Sequence, residues 1–405
     1  MRGVRSFFAR NRSVFSLGFV ALLISSLGDL LAGATLGSMT HTLELLPGLM
    51  ILIPPAIGMR GNIFGALGSR LGTAMHLGTF ELTFKRGSIL RQNMESSLLL
   101  TMIMSFLMGV LANTVAVAMG IPSVSISTFV FISVLGGVLA GFVLIIINVI
   151  VATIGFRRNW DIDNISAPLI TAAGDIVTLP MLFLAAILVI NFPGIVITAF
   201  STLFLVITVA LAILAVLRGK GEARRIFIHS SPVLVLCILL DIVAGVTIDT
   251  RLESLVALPA LLVLIPPFLE DANALGGILT SRFGSMLHMG TLKPRRRPGK
   301  LALENFAIIY IFSLWVFVLV GISSYVAARL LGLGSPSLGE MVFLSLAAGL
   351  ITVTALNFIS YYVAVYTYKL SLDPDDHSIP LTSSAIDSVG AFALMGVIIL
   401  MGLGV

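Results

Sequence analysis

Apolar residues run through this chain in long blocks separated by short polar breaks. A helix needs about 20 apolar residues to cross a bilayer. That length predicts spans at 14–38, 43–80, 96–119, 127–155, 167–190, 194–217, 229–249, 255–291, 303–331, 340–368 and 379–402. The predicted fold is an all-α integral membrane protein of about 11 helices. Blocks longer than twenty residues exclude an outer-membrane barrel, whose strands alternate apolar and polar positions. Two spans, 43–80 and 255–291, exceed one simple crossing and hold Pro, Gly, Asn and Arg at mid-length. They predict broken or strongly bent helices. Arg2, Arg5, Arg10 and Arg12 precede the first span, as in a signal peptide. Asp29 within it, and the lack of a small-residue cleavage site, predict a retained helix.

Composition narrows the class further. The chain of 405 residues is 58% hydrophobic and only 11% charged, against roughly 25% in soluble domains, and its mean hydropathy is +1.10. Too little polar surface remains to face water, which excludes a soluble enzyme, a secreted disulfide scaffold and a disordered chain. Cys237, the single cysteine, permits no internal disulfide and no cysteine metal site. Charge placement predicts orientation. With a cytoplasmic N-terminus, 19 of the 24 Lys and Arg fall on inside segments, and only Arg251 and Arg329 on outside loops. The C-terminus is then extracytoplasmic, and the expected location is the plasma membrane. Topology and anionic headgroups account for the basic pI near 9.6 without a nucleic-acid partner.

The chain also repeats itself at an offset of 212. Ile53-Pro54-Pro55 recurs as Ile265-Pro266-Pro267, Ser69-Arg70 as Ser281-Arg282, and His76 as His288. Asp29 and Gly33 match Asp241 and Gly245, and Pro168 and Asp175 match Pro380 and Asp387. This predicts a first transmembrane repeat at 1–192, a connecting helix and linker at 193–225, and a second repeat at 226–405. Each repeat has five spans, an odd number, so direct fusion would invert the second. The span at 194–217 restores the orientation, giving parallel repeats about a pseudo-twofold axis along the membrane normal.

Ionisable groups inside spans cost roughly 2.5–3.5 kcal/mol on insertion scales, so each needs a reason. Asp175 and Asp387 each lie seven residues after a proline expected to start the fifth span of a repeat. Symmetry lets them face one another across a central path, with Thr171 and Ser383 among their hydroxylated neighbours. A charge of about −2 in a polar constriction suits a divalent cation that keeps its waters, as magnesium does; bonding to nearby hydroxyls for packing is the bland alternative. Asn62 sits in the Pro- and Gly-rich second span, and Asn273 aligns beside it one position early, with Glu270 and Asp271 just before. All four are candidate pore-lining groups, the acids secondary; close helix packing is the competing role for Asn62 and Asn273. Asp29 and Asp241 are either secondary ion ligands or structural partners of Arg70 and Arg282. His76 and His288 fit interfacial roles, Glu81 and Glu340 helix boundaries, and Asp373, Asp375 and Asp376 a solvated loop.

The segment Gly58-Met59-Arg60-Gly61-Asn62, followed by Leu67, Ser69-Arg70-Leu71, Thr73-Ala74 and Gly78, resembles the signature of solute carrier family 41. That family is related to bacterial MgtE magnesium channels and carries two fused MgtE-type domains. Pro54 with Gly61-Asn62 resembles the MgtE second-helix motif, and the fifth-span Asp is similar to the MgtE pore aspartate. The second repeat departs from the motif with Glu270-Asp271-Ala272-Asn273-Ala274, and Ala66 replaces a glutamine. Fewer than twenty residues precede the first span, so no cytoplasmic sensor domain is expected. The resemblance implies transport of Mg2+ or another divalent cation, with no organic cofactor and no enzymatic activity. One chain supplies a full pathway, and a higher oligomer stays open. The rival is an intramembrane aspartyl protease using the same Asp pair. Ala172-Ala173-Gly174-Asp175 and Pro259-Ala260-Leu261 echo its motifs, but without their first glycine and in the wrong order.

Overall fold

The computed structural model describes residues 12–158, 162–217, 221–372 and 377–404; the Asp373, Asp375 and Asp376 loop and the side chain of Pro168 lie outside the described set. Among the described residues the ordered elements are helices, and ten of them are long and apolar enough to cross a membrane by length and composition. An eleventh long helix, α1 (Arg12–Gly37), occupies the first predicted span. The first repeat continues with α2 (Ile53–His76), α3 (Ile89–Ala118), α4 (Ile126–Arg158) and α5 (Ile162–Asn191). The connector is α6 (Gly194–Leu217). The second repeat comprises α7 (Gly221–Asp249), α8 (Ala260–His288), α9 (Lys300–Leu330), α10 (Leu338–Lys369) and α11 (Ile379–Met401).

Both overlong spans are broken, at the first proline of each and ahead of the paired prolines. In the first, a short helix Thr40–Leu45 ends at Pro47-Gly48, where Gly48 takes φ 80°, and a 3-10 turn Leu49–Leu52 leads into α2. That left-handed backbone is open to glycine at little cost. Pro54 and Pro55 then occupy the first turn of α2, where their missing N–H groups have no intrahelical partner to lose. In the second, Leu252–Ala257 precedes α8 across Leu258-Pro259. The Gly-rich stretch from Gly58 to Gly68, expected to be irregular, is regular helix. Its glycines admit close neighbours instead of breaking the backbone.

α2 packs on α3, α4 and α5, and α8 packs in the same way on α9, α10 and α11. The first helix of each repeat does something different. α1 lies against its own α5 but also against α8 and α9; α7 lies against its own α11 but also against α2 and α3. The two repeats have therefore exchanged their first helices. Glycines permit the crossing: a Cβ on Gly33 would strike the backbone carbonyl of Val263, and one on Gly245 would strike that of Ile51. Both the glycines and the carbonyls they meet are related by the offset of 212. One continuous buried core consequently runs through both repeats. α6 is peripheral, held to α4 by Ser201 Oγ donating to the Ser127 carbonyl at 2.6 Å, with most of its apolar side chains exposed.

Candidate functional site

The exchange brings α1, α2, α5, α7, α8 and α11 together, and six acidic side chains collect where they meet. Asp29, Asp175, Asp241, Asp271 and Asp387 are each no more than 2% exposed. Glu270 lies beside them, within electrostatic range of all five. No second acid in the group reaches so many. Among the described residues, no three His, Cys, Asp or Glu side chains converge as a direct metal cage.

Asp387 is held by Asn273, whose Nδ2 donates to Asp387 Oδ1 at 2.9 Å. Asn273 is also within hydrogen-bonding reach of Glu270. Asp175 has a different neighbour, Asp29 of α1, at hydrogen-bonding distance. Oδ1 of each is buried without a donor. Asp29 Oδ2 accepts from Ser25 Oγ at 3.2 Å, and Asp271 Oδ2 accepts from Ser26 Oγ at 2.7 Å across the exchanged α1–α8 contact. Asp241 lies against Gly58, where a Cβ would sit 2.8 Å from its Oδ2, and beside Ser384. Neither Asp241 oxygen receives a hydrogen bond. Asp387 is also within electrostatic range of Asp175.

Several sequence expectations change here. Asn62 does not join Asp175: it faces Ser230 and Leu234 of α7 and Pro380 of α11, and its Nδ2 has no partner. One residue is about 100° around a helix, so the register difference between Asn62 and Asn273 sends them to different neighbours. The expected Asp29–Arg70 pair is also absent. Arg70 Nε donates to Asn93 Oδ1 at 2.8 Å within the first repeat, while α1 has carried Asp29 over to α8. Likewise Asp241 lies on α2 rather than beside Arg282. Pro168 does not start its helix, because α5 begins at Ile162; Pro380 does sit in the first turn of α11. Thr171 flanks Gly61 and Gly65 at 3.5–3.6 Å from their Cβ positions, and Ser383 is half-buried on α11. Glu340 closes a capping box with Ser337 at the start of α10, a boundary role as expected.

Arg60 was part of the signature but had no role assigned. It is 1% exposed, donates from Nη2 to Ser105 Oγ at 2.7 Å, and leaves Nε and Nη1 without partners. Gly137 makes room for it, since a Cβ there would meet both Ser105 Oγ and Arg60 Nη2. At the offset positions the second repeat has Ala272, Phe317 and Gly349, and Gly349 makes room for the Phe317 ring. One repeat packs a guanidinium and a hydroxyl where the other packs a phenyl ring. An arginine inside an apolar helix was the legible signal.

Toward the end of the bundle where α2 and α8 begin, Glu270 and Asp387 border a constriction of about 10 Å³. Its other walls are apolar, from Met50, Ile53, Pro54, Ile57, Ile248, Ile265, Pro266 and Leu269. At the opposite end a cavity of about 310 Å³ opens between α8, α10 and α11. The buried acids lie between a narrow apolar closure and a wider polar opening.

The MgtE family profile, described as a divalent cation transporter, matches residues 53–185 and 265–397. The two matched stretches start 212 apart (265 − 53) and end 212 apart (397 − 185). The chain belongs to the MgtE family. Among curated relatives, solute carrier family 41 member 2 of Xenopus laevis is 26% identical, covering 93% of this chain and 70% of its own. Solute carrier family 41 member 3 of Rattus norvegicus is 24% identical, covering 93% and 84%. Human solute carrier family 41 member 2 is 25% identical, covering 93% and 68%. No solved structure matches the chain. The MgtE profile begins at the second helix of each repeat and leaves α1 and α7 outside it, the two helices that the repeats exchange.

Proposed function

We propose that this chain carries Mg2+ across the plasma membrane along a path between the two repeats, with its N-terminus in the cytoplasm. The observation that carries this reading is Glu270 gathered with five buried Asp side chains at one helix junction. Six carboxylates in a membrane interior repel one another and are sustained only by cations or protons. All six are hard oxygen donors, and Asn273 adds another, which favours magnesium-like ions over zinc or copper. Asp175 and Asp387 bind the ion largely through its waters, with Asn273 orienting Asp387, Asn62 lining the path and Glu270 setting its field. Thr171 and Ser383 add hydroxyls, while Asp29, Asp241 and Asp271 supply further charge.

The exchanged helices support a complete path within one chain, because each repeat supplies a wall to the other. No organic cofactor enters this scheme. An aspartyl protease would need Asp175 and Asp387 to share one water; Asp175 is instead paired with Asp29, and Asp387 with Asn273. The test is Mg2+ uptake by proteoliposomes holding the native chain or the Asp175→Asn, Asp387→Asn double variant. Uptake by the native chain that is lost in the double variant is expected. Equal uptake by both would sink the proposal.

A further inference from the structure

The cavity of about 310 Å³ is not on the pseudo-twofold axis. It lies within the second repeat, at the face that the basic loops assign to the cytoplasm. Its walls are rich in hydroxyls: Thr280, Ser281 and Ser285 of α8, Thr367 of α10 and Ser378 before α11. His288 and Tyr368 form its rim, ring edge to ring face with centroids 5.1 Å apart. His288 Nδ1 is occupied by the Gly284 carbonyl at 2.8 Å. Among the described residues, no charged side chain lines the space.

One face of α8 runs from this cavity toward the acidic centre. Asn273, Gly277, Thr280, Gly284 and His288 follow at steps of three or four, a single stripe on a helix. Gly277 and Gly284 have nothing within 4 Å of their Cβ positions, so the stripe borders open space on both sides of Thr280. Thr280 Oγ1 donates to Thr382 Oγ1 at 3.3 Å, and Thr382 lies five residues before Asp387 on α11. At the other end of the stripe, Asn273 holds Asp387. A ladder of neutral oxygens thus runs from the cavity to the carboxylates. The first repeat cannot reproduce it, because Gly68, Gly155 and Phe156 stand at the positions of Thr280, Thr367 and Tyr368.

We propose that this cavity is a loading site for a fully hydrated divalent cation, held through its waters by the hydroxyl oxygens before it reaches Asp387. The proposal rests on the transport reading and makes the path lopsided, entering through one repeat. Six waters at about 30 Å³ each occupy roughly 180 Å³, so the cavity accommodates a complete first shell. Hydroxyl oxygens suit this task because they accept hydrogen bonds from the shell waters without the charge that would strip them from the ion. The ends of α8 and α10 that meet here are C-terminal, and their carbonyl ends favour a cation. The start of α11 opposes them, which keeps the holding weak enough for release. The field of Asp387, Glu270 and Asp271 then draws the ion inward.

The experiment uses the full chain in detergent with Ser285→Cys. The native protein is the unlabelled control, because its single cysteine, Cys237, is fully buried. The rate of modification by a small charged thiol reagent is measured with no divalent ion, with Mg2+, and with hexamminecobalt(III), whose shell does not exchange. Both ions are expected to slow labelling several-fold, while Lys85→Cys, in an exposed loop of the first repeat, is unaffected. Unchanged labelling with Mg2+ overturns the site; protection by Mg2+ but not hexamminecobalt(III) overturns holding through water. In proteoliposomes, Gly284→Leu fills the open space and should cut Mg2+ uptake several-fold with an unchanged melting temperature. Native uptake by that variant would also overturn the proposal. If the native chain carries no Mg2+, the transport reading fails, while the labelling rates still report separately on cation binding.

Discussion

Asn273 donates its side-chain amide to Asp387 across 2.9 Å, and the position matching Asn273 in the first repeat is Gly61. The two central aspartates are therefore not equivalent, although the sequence relates them by a common offset. Asp387 is oriented by an amide, and Asp175 by another acid. A hydrogen bond to a charged group contributes about 1.5–3 kcal/mol. Asn273→Ala should accordingly lower Mg2+ uptake by roughly tenfold or more, since about 1.4 kcal/mol is a factor of ten. Native uptake by Asn273→Ala in proteoliposomes would refute this role.

Glu270 has greater reach than its neighbour Asp271. Asp271 is already satisfied on one oxygen by Ser26, whereas Glu270 acts on every other acid of the centre. Glu270→Gln is expected to reduce uptake more than Asp271→Asn does. The comparison is made at several Mg2+ concentrations, so that weaker binding is separated from slower turnover. The reverse ranking would remove Glu270 from the centre of the electrostatic account.

The glycines at the exchanged contacts should tolerate no side chain. Gly33→Val and Gly245→Val push a branched Cβ into the backbone of Val263 and Ile51, and overpacking of this kind costs about 1–3 kcal/mol. Gly277→Ala faces open space and should be neutral or stabilising by up to about 1 kcal/mol. Thermal unfolding in detergent distinguishes the two classes. Equal melting temperatures for Gly33→Val and Gly277→Ala would contradict the close approach.

Neither half of the chain has a full set of walls. Residues 1–217 expressed alone should be poorly folded and inactive, because α1 has lost α8 and α9. Co-expression with residues 218–405 should restore assembly and Mg2+ uptake, read by co-purification and flux. A half that transports alone would show that the exchange is dispensable.

Helix positions were legible because burial in lipid demands long apolar blocks, and the repeat was legible because Ile53-Pro54-Pro55 and Ile265-Pro266-Pro267 stand in register. The five Asp positions were legible as costly charges. Their partners were not. Pairing Asp29 with Arg70 assumed that each first helix packs on its own repeat, and one-dimensional order cannot reveal an exchange between similar repeats. Asn62 and Asn273 looked alike in alignment, yet a single step of register turned them to different neighbours. The Gly58–Gly68 stretch read as broken backbone because glycine weakens helices, whereas here it admits Asp241 and Thr171. Arg60 has its companion Ser105 on a different helix, a pairing that spacing along the chain does not encode.

The exchange of first helices also sets an order of events during synthesis. Gly33 reaches Val263 only after 230 further residues (263 − 33) have been made. At about 5–20 residues per second, α1 waits in the membrane for roughly 10–50 s before its partner exists. Throughout that interval Asp29 lacks Asp271 and Glu270, and Ser25 is the hydroxyl its own helix supplies to it. α7 has no such delay, because α2 and α3 are already in place when it emerges. The ribosome therefore makes two related units with opposite histories: the first leaves a vacancy that the seventh helix fills, and the first helix is the one that must be kept from finding the wrong neighbour.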